Sequence, residues 1–399
     1  MRNYVKILVI LVAVKFIGSS ALNEKSVSPF NSSALLNIYY FVDYVIIIVS
    51  LYSMILFKGA INVFSILLTI GALFLIYSLS SIYIGISIDT IASSFLRTFS
   101  PLIMFIALIN KNDGSNNLKF NIPLYLPIVV ITLSLIGYLI FSASENRGEN
   151  FWPTYTDGLH TQSYCLIAVY ITIYIYTSTK KGIFHYVLLA AFFYALAYGY
   201  NVRTTISMLI LFLGLVYYYE KLRHKVPPGF FHFFFSLGIG LLIIFCLFIF
   251  QIEDYDMFSS GRLSMYAFKF HDISQRTFIE ILFGKGVGSD LVVTDIWWWD
   301  AKGSHNDYLT IFVENGLIYL VSFIIFIRYL YFKLVSDTWI RSILTVYLMS
   351  SLISNGFISR PLPSYLLFMS AYFVGQRRQI VSIQSKNKNI YFPNNVQLQ

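Results

Sequence analysis

Long apolar runs recur along the whole chain and leave little choice of fold. Two examples are YVIIIVSLYSMILF, which begins at Tyr44, and GIGLLIIFCLFIF, which begins at Gly238. A helix needs about 20 apolar residues to cross the hydrocarbon core of a bilayer. Charged residues make up 12% of the chain, against about 25% in ordinary soluble domains. The sequence therefore predicts an all-α, polytopic bundle of transmembrane helices.

The apolar runs predict about twelve spans. They divide the chain into helices 1–9 within residues 1–250, a large outer loop at 251–307, helices 10–12 within 308–376, and a tail at 377–399. The predicted spans are 4–22, 35–57, 61–84, 91–109, 122–142, 161–178, 183–200, 204–219, 231–250, 308–327, 341–358 and 363–376.

Basic residues orient the spans, because loops on the cytoplasmic side carry an excess of Lys and Arg. With the N-terminus inside, the cytoplasmic segments hold seventeen of the twenty-eight Lys and Arg residues. The outer segments hold nine, and Lys15 and Arg97 lie within spans. Both termini are therefore predicted to be cytoplasmic. The net charge of +9 reflects this orientation and requires no nucleic-acid partner.

The outer loop at 251–307 is long for a compact bundle, and loops of this length are usually functional or disordered. From Arg262 onward, apolar residues recur close to helical spacing, which predicts an amphipathic helix that lies on the bilayer or caps the bundle. These apolar residues are Leu263, Tyr266, Phe270, Ile273 and Ile281.

The tetrapeptide SHND closes this loop at the start of a predicted span. Ser304 and Asp307 have the spacing of a capping box, which places His305 in the first helical turn. The helix dipole there opposes protonation, and a neutral imidazole can act as a general base. The free N–H groups of a helix start can also hold a phosphate. The alternative is a histidine that only caps the helix at the membrane interface.

Two arginines on the same predicted side strengthen the functional interpretation. Arg203 lies between two apolar runs, and Arg262 begins the amphipathic segment. An ionisable residue at the depth of Arg203 costs several kcal/mol unless it is paired, and arginine suits bidentate binding of phosphate oxygens. For Arg262, a surface charge near lipid headgroups is the alternative. No ligand spacing for a metal stands out, and GKGVGS (284–289) predicts a tight turn rather than a nucleotide site.

Two stretches late in the chain have a distinctive order. The glycine-rich GKGVGSD at 284–290 comes first. It is followed by SHNDYLTIFVENGLIYL at 304–320, which contains His305, Asn306, Glu314 and Gly316. The sequence thus has a glycine turn, a His-Asn pair and a Glu-x-Gly element in succession.

Together with NVRTTISMLILFLGL and GRLSMY, which carry Arg203 and Arg262, this order resembles the core of the O-antigen polymerase and O-antigen ligase superfamily. Val202 stands where that family often has a serine before the arginine. The resemblance implies a GT-C-like fold and a metal-independent glycosyltransferase that uses no cofactor. Its donor would be a glycan on undecaprenyl pyrophosphate.

In the chemistry that the resemblance implies, Arg203 and Arg262 hold the pyrophosphate and stabilise the leaving group. His305 activates the acceptor hydroxyl. Further candidate ligands of the pyrophosphate or glycan are Arg276, Asn306 and Tyr308. The resemblance places the protein in a bacterial cytoplasmic (inner) membrane with its site facing the periplasm, among membrane lipids, and implies a chain-length regulator and a flippase as partners.

Three functions stay open from the sequence. A polymerase moves the growing glycan onto a lipid-linked repeat unit, whereas a ligase moves it onto the lipid A core. The composition, rich in Ile, Tyr, Phe, Asn and Ser, favours a polymerase by its similarity to products of surface-polysaccharide gene clusters. A transporter that flips lipid-linked sugars is the third function, although such folds usually contain internal repeats and none is evident here.

Overall fold

The structure is a computed structural model that describes residues 2–22, 33–56, 63–109, 122–140, 151–156, 158–177, 182–222, 262–293, 301, 303–334 and 338–374. Most of these residues are helical and none of them forms a strand, which confirms the all-α class. In chain order the helices are α1 (Arg2–Gly18), α2 (Ser33–Leu56), α3 (Val63–Tyr83), α4 (Ile88–Ile109), α5 (Ile122–Ile140), α6 (Gly158–Thr177), α7 (Ile183–Tyr194), α8 (Arg203–Tyr217), α9 (Arg262–Ser274), α10 (Phe278–Phe283), α11 (Asp307–Tyr329), α12 (Thr338–Ile353) and α13 (Pro361–Val374).

The helices follow the predicted spans wherever the structure describes them. The predicted span at 231–250 and the tail at 377–399 lie outside the described residues. Helices α5, α7 and α13 contain shorter apolar segments, and the total of twelve spans stays a prediction. Among the described residues, six helical segments are long and apolar enough to cross a membrane: Tyr4–Leu22, Leu36–Leu56, Val63–Tyr83, Ile88–Ile109, Arg203–Leu222 and Asp307–Phe332.

Large apolar side chains cover much of the surface of the bundle. Phe64 is 72% exposed, Leu139 is 79% exposed and Ile183 is 84% exposed. Soluble monomers rarely expose contiguous apolar patches of this kind, whereas lipid tails solvate them without penalty. The exposed apolar side chains and the lengths of the helices therefore both indicate a membrane protein.

Packing between helices builds one continuous apolar core. Helix α1 packs on α2 and α5, α2 packs on α4, and α6 packs on α5, α7 and α8. Helix α8 also packs on α12, and α11 packs on α3. Within a bilayer such contacts are stabilised by dispersion and interhelical hydrogen bonds, because the lipid is as apolar as the side chains.

One ion pair is buried within the helical bundle. The Lys15 ammonium on α1 lies 2.9 Å from Asp43 Oδ2 on α2 and donates to the Tyr39 carbonyl oxygen at 2.9 Å. The Tyr365 hydroxyl on α13 donates to Asp43 Oδ1 at 2.7 Å and lies 2.5 Å from Ser100 Oγ on α4. Since removing charges from water costs several kcal/mol per ion, these bonds compensate both charges and join four helices.

The outer loop contains the predicted amphipathic helix. Helix α9 presents one buried face, which includes Met265 and Lys269, while Phe270 is exposed. Helix α10 begins with a capping box between Thr277 and Glu280 and packs on α11 and α3. The loop helices thus cover one end of the bundle, as the sequence predicted.

Candidate functional site

The N-cap of helix α11 lies two residues after the position where the sequence placed it. Asn306 is the N-cap, and its side-chain oxygen accepts from the N–H groups of Tyr308 (3.0 Å) and Leu309 (3.1 Å). The predicted capping box between Ser304 and Asp307 is therefore wrong. Asp307 is instead buried, and its carboxylate accepts from the backbone N–H of Gly356 at 2.9 Å. The prediction failed because both side chains bind partners that are distant in sequence.

His305 precedes the helix rather than occupying its first turn. Its backbone has φ 50°, in the left-handed region that non-glycine residues seldom adopt. The preceding residue, Ser304, is fully buried and donates both its N–H (2.8 Å) and its hydroxyl to the carboxylate of Asp290. Strained conformations of this kind persist where surrounding contacts over-determine them, and Asp290 supplies such contacts.

Arg262 is the first residue of α9 and lies near the start of α11 through Tyr266. Burial raises the pKa of the Tyr266 phenol, and two neighbours oppose that rise: the Asn306 side chain and the Arg262 charge. Asn306 directly follows His305 in the chain. The arginine and the histidine that the sequence singled out therefore belong to the same end of the molecule.

Arg203 begins α8, with Val202 as the N-cap in extended conformation. Its neighbour Thr204 faces Tyr164 on α6, and the hydroxyls of both side chains are buried. The charged groups that act on the Tyr164 hydroxyl are Arg360, Asp307 and Arg262. The starts of α8 and α9 therefore meet around one tyrosine.

Four helices of the bundle begin at this end, which we call the site end: α6, α8, α11 and α13. The Arg360 guanidinium, at the residue before α13, donates to Thr161 Oγ1 on α6 at 2.7 Å. Asp307, at the start of α11, bonds the turn that leads to α13. Each helix start carries a partial positive charge. With the arginines, the site end suits an anionic ligand such as a phosphate ester.

Three of the six predicted site residues have protein partners that give them a structural role. Arg276 uses all three guanidinium nitrogens within the protein, to Asp272 Oδ2 (3.0 and 2.7 Å) and to the Val313 carbonyl oxygen (2.8 Å). The Tyr308 hydroxyl donates to the Leu348 carbonyl oxygen (3.2 Å). Asn306 caps α11 and also donates to the Leu352 carbonyl oxygen (2.8 Å). These contacts hold Arg276, Tyr308 and Asn306 within the protein, and a role for them in binding the pyrophosphate or glycan stays a prediction.

The glycine turn packs directly on a break in α11. Gly316 interrupts the helix with φ 77°, and Gly284 in the turn has φ 80°. A Cβ on either glycine would collide with the backbone around the other. The N–H of Gly286 donates to the Glu314 carbonyl oxygen (2.8 Å), and that of Gly288 donates to Glu314 Oε1 (2.9 Å). Glu314, to which the sequence assigned no chemical role, thus fixes the turn on α11.

The sequence reasoning missed Asp290 and Arg360. Asp290 was one of nine acidic residues in the outer loop at 251–307, with no distinguishing spacing, and Arg360 was one of nine outer basic residues. Their partners Ser304 and Thr161 lie 14 and 199 positions away. No local pattern could have paired them. Within the described ranges, no group of three or more His, Cys, Asp or Glu side chains could hold a metal ion.

The fold and the site together define a polytopic helical membrane protein with a cationic, histidine-bearing end. No family model, no curated protein and no solved structure matches this chain.

Proposed function

We propose that this protein is a polysaccharide polymerase that transfers a growing glycan from undecaprenyl pyrophosphate onto a lipid-linked repeat unit. The observation that most supports the proposal is the shared location of Arg203, Arg262 and His305 at the site end. An anionic leaving group and an acceptor hydroxyl need two kinds of protein group, a cation and a base, and both kinds are present there.

In the proposed reaction, the arginines act on the pyrophosphate. The bond between the anomeric carbon and the pyrophosphate oxygen breaks, and undecaprenyl pyrophosphate leaves with the electron pair. The leaving group gains one negative charge in this step. Arg203 and Arg262, beside the helix starts, stabilise that charge as it develops, and removal of one such group typically lowers kcat by about a hundred- to a thousandfold.

His305 is the proposed base for the acceptor. It takes the proton from the acceptor sugar hydroxyl while the oxygen attacks the anomeric carbon, so the new glycosidic bond forms as the old bond breaks. A single displacement of this kind inverts the anomeric configuration. The donor is already activated, and so the reaction needs no nucleotide at this face of the membrane.

Substitution of the three residues tests the proposed site. His305→Ala, Arg203→Ala and Arg262→Ala should leave the protein inserted in the membrane and abolish lengthening of the surface glycan. Two substitutions serve as matched controls. The first is His271→Ala, because His271 is exposed on α9 and its imidazole bonds Gln275. The second is Arg328→Ala, because Arg328 stacks over Phe332 far along α11. Normal glycan ladders from the three site variants would contradict the proposal.

Deletion of the gene separates the three functions that the sequence leaves open. A surface lipopolysaccharide that carries a single repeat unit on its core indicates a polymerase, the outcome we expect. Unattached polymer on the carrier lipid indicates a ligase. Lipid-linked units that accumulate on the inner leaflet indicate a flippase. Gel electrophoresis of the lipopolysaccharide and analysis of the carrier-linked glycans distinguish these results.

A further inference from the structure

Helix α9 contacts the chain on both sides of His305. Arg262, Tyr266 and Lys269 share one face of α9, at the i, i+4, i+7 spacing that places residues on one side of a helix, and Lys269 is the buried member. Tyr266 neighbours Asn306, the residue after His305. Lys269 reaches Asp290, which bonds the residue before His305. One helix is thus linked to both flanks of the histidine, directly at Asn306 and through Asp290 at Ser304.

The contact through Asp290 is a buried ion pair with several hydrogen bonds. The Lys269 ammonium lies 3.0 Å from Asp290 Oδ1, and both side chains are at most 2% exposed. Lys269 also donates to the Asp290 carbonyl oxygen. The same carboxylate accepts from Ser304 and from Thr310 Oγ1 at 2.7 Å. A buried carboxylate that is paired and fully bonded is costly to displace, because loss of one partner leaves an uncompensated charge.

One helix carries both the proposed phosphate ligand and the residue that anchors the His305 loop, and packing alone does not require this. Arg262, the proposed ligand of the pyrophosphate, and Lys269, the anchor of the His305 loop, lie two turns apart on the same helix. The left-handed backbone of His305 needs outside support, and that support comes from the helix that begins with Arg262. The distance between the proposed base and the proposed phosphate ligand is therefore set by one rigid body.

We propose that Lys269 and Asp290 are positioning residues for the transfer reaction, which hold His305 at a fixed place relative to Arg262 through Ser304. This inference rests on the proposed function and adds to it a role for a buried ion pair outside the reacting groups. A misplacement of a reacting group by about 1 Å can lower the rate up to about a hundredfold. Loss of the Ser304 bond should therefore affect turnover more than substrate binding.

Ser304→Ala and Thr310→Val form a matched pair of variants for the test. Both remove one hydroxyl that donates to the Asp290 carboxylate, and only Ser304 adjoins His305. We measure kcat, KM for a lipid-linked repeat unit, and Tm on the purified full-length protein in nanodiscs. Ser304→Ala should lower kcat about ten- to a hundredfold with KM unchanged, whereas Thr310→Val should keep the parental kcat and KM. Tm should be similar in the two variants.

Two further variants separate failure of the inference from failure of the proposed function. If His305→Ala keeps the parental kcat, the proposed base is wrong and the positioning role falls with it. If His305→Ala is inactive while Ser304→Ala and Thr310→Val have equal kcat, only the positioning role is wrong. Lys269→Arg, which keeps the charge, should restore most of the turnover that Lys269→Met loses. Equal turnover in these two variants would also overturn the inference.

Discussion

Two groups of charged residues in this protein differ in how their charges are balanced. Within the bundle, Lys15 and Asp43 form one pair, and Tyr39, Tyr365 and Ser100 surround them with hydrogen bonds. The Lys15 ammonium also lies 3.6 Å from the centroid of the Tyr39 ring. One cation meets one anion, and the polar atoms around the pair are bonded to each other. A pair of this kind has no capacity left for a ligand.

The site end brings several charged side chains together near helix starts. Arg262 and Arg360 act on Tyr164 together with a single acidic group, Asp307. The Arg360 guanidinium bonds neutral oxygens of Asn355 and Thr161. Four helix starts add their partial positive charges. The comparison contrasts an ion pair enclosed by its own hydrogen bonds with a group of cations at the starts of helices, where an anionic ligand could be bound.

The largest effect on stability is expected within the bundle. Asp43→Ala leaves the Lys15 ammonium buried without its counter-charge, and breaking a buried pair in this way typically costs 3–5 kcal/mol, about one-third of the stability of a typical domain. Thermal unfolding of the purified protein should show a large fall in Tm. The double variant Lys15→Met with Asp43→Leu removes both charges and should recover most of that loss. An unchanged Tm in Asp43→Ala would mean that the pair does not hold the helices together.

A smaller effect is expected where the glycine turn meets α11. Gly316→Ala places a Cβ at a positive φ and against the backbone of Leu282, which should destabilise the protein by about 1–3 kcal/mol. Gly71→Ala is the matched control, since Gly71 lies within α3 with nothing within 4 Å of an added Cβ. That variant should be neutral or slightly stabilising. Equal Tm values for the two variants would show that the break in α11 is unnecessary.

Substitution of Asp272 should have a weak effect on Tm, and that effect should depend on pH in the acidic range. Burial alone would raise the pKa of this carboxyl, but hydrogen bonds from Arg276 and Lys285 outweigh burial and hold the pKa below its usual value. A lowered folded-state pKa stabilises the protein above the unfolded value of about 4. The contribution is lost as pH falls through the folded value.

Because the Asp272 side chain is 34% exposed, screening by solvent should limit this contribution to about 1 kcal/mol or less. Asp272→Asn should therefore lower Tm at pH 7 and have progressively less effect as the pH falls toward 3. A difference between parent and variant that is the same at both pH values would contradict this account of the carboxylate.

The smallest effect on stability is expected from the arginine that begins α8. Arg203 is exposed, and exposed substitutions usually change stability by about 0.5 kcal/mol or less. Arg203→Gln should keep the parental Tm and lose glycan lengthening. A large fall in Tm would place Arg203 with Lys15 and Asp43 as a residue that holds the bundle together, and the contrast between the two groups would disappear.

The sequence predicted the features that depend on local pattern. Apolar runs located the helices, and helical spacing from Arg262 located α9. The identity of the α11 N-cap was not predictable, because the Ser304 hydroxyl bonds Asp290 and is therefore not available to cap the helix. The break in α11 at Gly316 was not predictable either, because it depends on close contact with Gly284 in the loop. Features that arise from contacts between distant segments left no periodic signal in the sequence.

The central claim is that the site end transfers glycans by means of His305 and the arginines. The most direct measurement supplies the purified protein in nanodiscs with a lipid-linked repeat unit, in the presence of a metal chelator and without nucleotide. We predict lipid-linked oligomers and one released undecaprenyl pyrophosphate per new glycosidic bond, with no product from His305→Ala and parental product from His271→Ala. Absence of oligomers from the parent, or equal yields from the two histidine variants, would contradict the account.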